Sequence, residues 1–126
     1  MATHTSAVKS AMADAAVDLV DVGTTDATGD LVFLTAGDVV VATLALSNPS
    51  FGAAVAGVAT ANAITADSSA VGGTIAKFIL QDRDNTEVVR GTCSLAAGGG
   101  EMELSSLVIT ATEEVRVDSL DYTVPN

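Results

Sequence analysis

The sequence predicts an all-β fold: an antiparallel, jelly-roll-like β-sandwich of about seven strands, preceded by one short N-terminal amphipathic helix. Three observations carry this expectation. From residue 30 onward apolar residues recur at a spacing of two, in short runs separated by turn residues. Hydrophobic residues make up 48% of the chain but aromatics only 3%, so the core is built from Ala, Val and other small or β-branched side chains, which suit a pleated surface. Only the first twenty or so residues repeat at the helical period. At 126 residues the chain is most simply one domain, expected as an arm and helix over 1–23 and a β-sandwich over 24–126. A chain of this size buries roughly two-thirds of its unfolded surface and needs no metal or disulfide to hold a core.

The helix comes first. Val8, Met12, Ala15 and Leu19 recur at 3.6-residue spacing, flanked by Ala11 and Ala16, while Ser10, Asp14, Asp18 and Asp21 fall on the opposite side. Thr5 or Ser6 can cap its start and Gly23 suits its exit. The apolar stripe must lie against something. Modest side chains predict weak docking on the chain's own sheet and order gained against a partner.

The strands follow. "DLVFLTA" (30–36) and "VVVATLALS" (39–47) are separated by Gly37-Asp38, a tight-turn pair, and Asn48-Pro49-Ser50 ends the second. "GVATANAITA" (57–66) alternates small residues. "GTIAKFILQD" (73–82) sets Phe78 and Leu80 inward against Lys77 and Gln81, and "TEVVRGTCSL" (86–95) returns after a hairpin loop at Arg83-Asp84-Asn85. "AAGGG" (96–100) reads as a flexible hairpin tip. "EMELSSLVIT" (101–110) and "VRVDSLDYTV" (115–124) each slip register, predicting bulges near Ser105-Ser106 and Asp118-Ser119.

In "VVVATLALS" both parities are apolar, so the strand is expected to be covered on both sides. One cover is the core; the other is the helix or a neighbouring chain. Val39, Val41 and Thr43, with Val8, Met12 and Leu19 of the helix, are the candidate interface residues.

Charge and composition exclude several function classes. Five basic residues against sixteen acidic ones give a net charge of −11, and Lys9, Lys77, Arg83, Arg90 and Arg116 stand singly. Nucleic-acid affinity rests on counterion release by Lys and Arg, and anionic membranes attract basic segments, so neither partner is expected. Cys93 is the single cysteine, which rules out an intrachain disulfide and Cys-rich metal sites; alternation places it inward as a structural thiol. No stretch reads as a secretory signal or a membrane span, and a soluble protein made in a cytoplasm is expected.

No catalytic constellation is present. The single histidine, His4, is at a terminus, so Ser-His, Cys-His and zinc sites lack their imidazole. Carboxylates are plentiful, but a sugar-processing pair usually works beside an aromatic platform, and Phe33, Phe51, Phe78 and Tyr122 are the only aromatics; Phe33 and Phe78 point into the core. "DRDNTE" (82–87) has alternating oxygen ligands but lacks the glycine and distal glutamate of a calcium loop, so a hairpin turn is the reading. "AAGGG" has no lysine or helix start behind it to cradle phosphate. No enzyme activity, cofactor or metal is expected.

The arrangement resembles small virion structural proteins of tailed bacteriophages encoded beside the major capsid protein. The resemblance rests on the order of a short helix, "ATLALSNPSFG" (42–52), "GVATANAIT" (57–65), "GTIAKFILQDRDN" (73–85) and "VRVDSLDYTVPN" (115–126). It covers nearly the whole chain, and its matching features are turns and packing positions. It implies a capsid decoration (cement) protein, a β-sandwich on the outer surface of the head, commonly trimeric at local threefold positions. Its partners would then be the major capsid protein and copies of itself. A head–tail connector or tail component would look alike, and a carbohydrate or cell-surface binding module of the virion is a further alternative, disfavoured by the scarcity of aromatics.

Overall fold

The computed structural model describes residues 3–124; the outermost two residues of each expected region, 1–2 and 125–126, lie outside the described residues. The chain is mostly β, with one short helix and a curled mixed sheet. Helix α1 spans Ser6–Asp18 and begins at Thr5, whose Oγ1 accepts the Val8 N–H at 3.3 Å. Its alanine-rich sequence favours the helical state. The last turn tightens into a 3-10 turn at Leu19–Asp21, and the left-handed Gly23 (φ 122°) follows, as the exit predicted.

Nine strands follow among the described residues: β1 Asp30–Leu34, β2 Val40–Ala45, β3 Val58–Thr60, β4 Gly73–Thr74, β5 Lys77–Gln81, β6 Glu87–Leu95, β7 Met102–Leu104, β8 Val108–Ile109 and β9 Asp121–Thr123. Five form one sheet in the order β2-β1-β5-β6-β7; β3 pairs with β9 and β4 with β8. The turns are where the sequence puts them. Asp38 (φ 64°) closes β1–β2, and Asn85 (φ 64°) closes β5–β6. Asp82 holds the second turn by accepting the Asp84 and Thr86 N–H groups, both at 2.9 Å.

The central strand explains the layout. In β1, Leu31 and Phe33 face the main core while Val32 and Leu34 join Ile79 in a small cluster on the opposite face. Across the main core lie α1, the short ladders, Phe51, Ile75 and Val115. Phe78 and Leu80 point inward as expected, at 8% and 2% exposure.

Three expectations are corrected. First, the sheet is not wholly antiparallel. β6 and β7 run parallel, with Cys93 opposite Met102 and Leu95 opposite Leu104. Parallel neighbours usually need a crossover of about a dozen residues, yet here residues 96–101 suffice. The glycine run makes this possible: Gly99 sits at φ 84°, Gly98 N–H reaches the Leu95 carbonyl at 2.9 Å, and Gly100 N–H reaches Ser94 Oγ at 2.9 Å. The run read as a hairpin tip is a tight parallel return. Second, the register slips are not bulges. At Ser105-Ser106 the chain leaves the large sheet (β7) for the β4–β8 ladder, and past Asp118-Ser119 it leaves the Val115–Asp67 bridge for β9. A change of inward parity here marks a change of sheet.

Third, the register shifts lie elsewhere, one in β6, where Leu80 and Gln81 pair with Val89 and Glu87 and leave Val88 extra, and one in β2. Register shifts between Phe33 and Leu34, which pair with Ala42 and Val40, so Val41 is the extra residue. Val41 and Ala42 are consequently both wholly buried. The bulge puts Val40 and Thr43, opposite Leu34 and Val32, on one face, and both are exposed, so among the described residues β2 is not covered on both sides.

Candidate functional site

Helix α1 is docked through the face the sequence assigns to solvent. Ala13, Val17 and Val20 are buried at 2% exposure or less. The polar residues between them reach backbone N–H groups of the 50–57 segment. Asp14 Oδ1 accepts from Ala54 at 2.8 Å, Asp21 Oδ1 from Ser50 at 2.9 Å, and Ser10 Oγ from Gly57 at 3.2 Å. Gly57 is at φ 83°, and a Cβ there would stand 2.8 Å from the Lys9 Cβ, so glycine also lets the loop approach the helix closely. Weak docking is corrected: the helix belongs to the main core. The signal in the sequence is the line of short residues Ser10, Ala13, Asp14 and Val17, which permits close approach.

The expected stripe is left outside. Val8, Met12 and Leu19 are exposed by 44, 40 and 54%, and Val22, next in the same 4-3-4-3 spacing with Ala15, by 53%. Val8 and Met12 lie on α1, Leu19 in the 3-10 turn and Val22 in extended backbone just past it, so together they form an exposed apolar stripe among the described residues. On and just before β2 the candidate residues divide. Val39 and Thr43 are exposed, but Val41 is wholly buried by the bulge and is removed from the interface set. Beside Thr43 the sheet edge is closed by the chain itself, since the Thr43 N–H donates to Asp67 Oδ2 at 2.9 Å and Gly72 N–H to the Val41 carbonyl at 3.1 Å.

Most of the clustered charges are tied up in structure. Asp38 Oδ1 accepts from Lys77 Nζ at 3.0 Å and Arg90 Nη1 at 2.9 Å, and Arg90 Nη2 donates to Glu87 at 2.8 Å. Those hydrogen bonds hold the Asp38 and Glu87 carboxyls below their usual range and raise the guanidinium. Lys77 is opposite Leu34 and Arg90 opposite Ile79, so the network crosses the face of the small Val32–Leu34–Ile79 cluster.

In "DRDNTE" the carboxylates are likewise used internally. Asp84 Oδ1 accepts the N–H groups of Thr24 and Thr25, both at 3.0 Å, which lowers its pKa and ties the helix exit to the hairpin. Among the described residues no group of three or more His, Cys, Asp or Glu is placed to hold a metal. Cys93 is buried, and desolvation pushes its thiol up to about 11, which leaves it in the unreactive protonated form. His4 is exposed on the segment preceding α1.

One concavity stands out, and sequence reading did not find it. A cleft of about 670 Å³ runs between residues 101–103, at and before β7, and residues 119–123, around β9. Phe51, Phe78, Leu80, Val89, Met102 and Leu120 supply the apolar half of its lining, and Glu101, Glu103 and Asp121 contribute carboxylates. Its two walls are distant in sequence, and no local motif joins them. Comparison of the chain with protein-family models, with curated proteins and with solved structures found no match.

Proposed function

We propose that this chain is a non-enzymatic structural protein of a tailed-bacteriophage virion, a decoration (cement) protein on the outer capsid surface. It stabilises the lattice by burying apolar area against copies of itself and against the major capsid protein. In this reading the curled sheet and the short ladders facing it are the two layers of a jelly-roll-like sandwich. The observation that carries it is the exposed seam of α1. A helix anchored through Ala13, Asp14 and Val17 holds Val8, Met12 and Leu19 rigidly outward. An apolar helix face left exposed in this way offers area for burial against a partner. The use of Lys77, Arg90 and Arg116 in ion pairs, and of Arg83 on the Asp26 carbonyl, supports a surface that does not seek phosphate.

The first test is the mass of the isolated protein in solution. At micromolar concentration the chain is expected to be a homotrimer, and Met12→Glu with Leu19→Glu is expected to give a folded monomer with an unchanged circular dichroism spectrum. Wild-type protein that stays monomeric, or a double variant that stays trimeric, takes the contact away from the seam. The second test uses filled heads stripped of the protein. They should lose tolerance to heat, and rebinding should survive raised salt because apolar contacts are not screened. Equal survival with and without the protein rejects the cement role.

A further inference from the structure

We infer that the cleft between β7 and β9 is a strand-acceptor site for an extended, lysine- or arginine-bearing segment of another protein. The site is separate from the helix seam and does not depend on the role proposed for it.

Its lining is the first reason. Residues 101–103 face the cleft consecutively, and so do 119–123. Side chains of a strand alternate between faces, so consecutive lining means that backbone edges border the space. β7 is the last strand of its sheet and bonds only to β6, and β9 bonds only to β3. Among the described residues the far edge of each strand therefore presents N–H and C=O groups with no ladder partner. Such edges take up extended chains by continuing the ladder.

Size and chemistry narrow the occupant. Strand rise, strand spacing and sheet spacing give each residue of a packed strand roughly 160 Å³. The 670 Å³ cleft thus takes a segment of about four residues. Phe78, Leu80, Met102 and Leu120 offer an apolar floor for every second side chain. Three carboxylates, Glu101, Glu103 and Asp121, stand around it, and the one cation at its border, Arg90, is already held by Asp38 and Glu87. The remaining field is negative, so the outward side chains of the guest are basic. A second copy of this chain fits poorly, because its five basic residues stand singly and none of its segments carries basic residues at alternate positions.

The experiment uses the full chain, isotope-labelled, with the synthetic peptide acetyl-Lys-Val-Lys-Val-Lys-Val-Lys-amide as probe. Amide shifts and hydrogen exchange are read at low and at physiological salt. Binding is expected with slowed exchange confined to 101–104 and 119–123. Replacing the probe's lysines by glutamates should weaken it at least tenfold, and replacing its central valine by proline, which removes a ladder donor, should do the same. Glu101→Gln, Glu103→Gln and Asp121→Asn together should weaken the lysine probe about tenfold while leaving the unbound spectrum's dispersion intact. The inference is overturned by any of four results: no binding at about millimolar probe, undiminished binding of the proline probe, undiminished binding by the triple variant, or protection of both edges in the isolated chain as its concentration rises, which would make a second copy the occupant.

Discussion

The two long faces of helix α1 invert the usual expectation. The face carrying Ser10, Asp14 and Asp21 is inside, and the face carrying Val8, Met12 and Leu19 is outside. The inner face works because its apolar residues are small and its polar residues are short. Ala13 lets the helix approach, Val17 and Val20 contribute about 1.5–3 kcal/mol each by burial, and the three oxygen acceptors satisfy loop N–H groups that would otherwise be stranded. The outer face has larger side chains, which stay 40–54% exposed among the described residues. Apolar periodicity therefore identifies a surface that wants burial, but not whose surface it is. A short polar row can be the intramolecular face when a loop with free N–H groups lies opposite.

The comparison is broken most directly by a charge. Val17→Asp places an unpaired carboxylate in the main core and is expected to cost more than about 4 kcal/mol of unfolding free energy, among the largest single-residue effects. Leu19→Asp, three-dimensionally opposite, should change the stability of the dissociated chain by about 0.5 kcal/mol or less. Urea titration at a concentration where the chain is monomeric reads both. Similar losses for the two variants would mean that both faces are internal.

A smaller effect tests the polar row. Asp14→Ala removes the acceptor of the Ala54 N–H and leaves that donor in a partly buried position. The expected loss is about 1.5–3 kcal/mol, the range for a hydrogen bond to a charged group. Asp18→Ala, an exposed neighbour one turn on, should lie within about 0.5 kcal/mol of wild type. Equal effects of the two substitutions would show that Asp14 acts through general helix electrostatics rather than through the loop.

How much of this was legible depends on the length over which a pattern holds. β1, β2, β5 and β6 are each five or more residues long, and each falls within the run of sequence that predicts it. Gly37-Asp38 and 82–86 are turns because their residues tolerate the left-handed region or cap the turn from a side chain. Beyond residue 95 the runs shorten to two or three residues, and a slip of parity has two physical meanings, a bulge or a departure to another sheet. Local sequence does not separate them. The parallel return at 96–101 was hidden for a similar reason, because three glycines suit a hairpin tip and a tight crossover equally.

The candidate site divides along the same line. The seam of Val8, Met12 and Leu19 was visible as periodicity. Val41 was misplaced because a bulge rotates one residue without leaving a mark in a run of valines. The cleft depends on bringing 101–103 beside 119–123, which only the folded topology decides.

The smallest expected effect concerns the one polar atom on the docking side that the arrangement leaves out. Ser50 is wholly buried, and its backbone N–H is held by Asp21 Oδ1 at 2.9 Å, but its side-chain Oγ has no hydrogen-bond partner among the described residues. Its neighbours Asp14 and Asp21 show how the same region satisfies polar groups when an N–H is in reach. A buried hydroxyl without a partner loses its hydration and receives nothing in return, at about 1–3 kcal/mol. Alanine keeps the Cβ and the backbone bond to Asp21 and removes only that oxygen. The void it leaves is one atom in size, so the cavity penalty is smaller than for losing a methylene from a well-packed aliphatic residue. Ser50→Ala is therefore expected to stabilise the chain by about 1 kcal/mol, read as a raised urea midpoint with an unchanged slope. A loss of stability instead would show that the hydroxyl is bonded in solution, through a buried water or a rotated side chain, and the polar row of the docking face would then be complete.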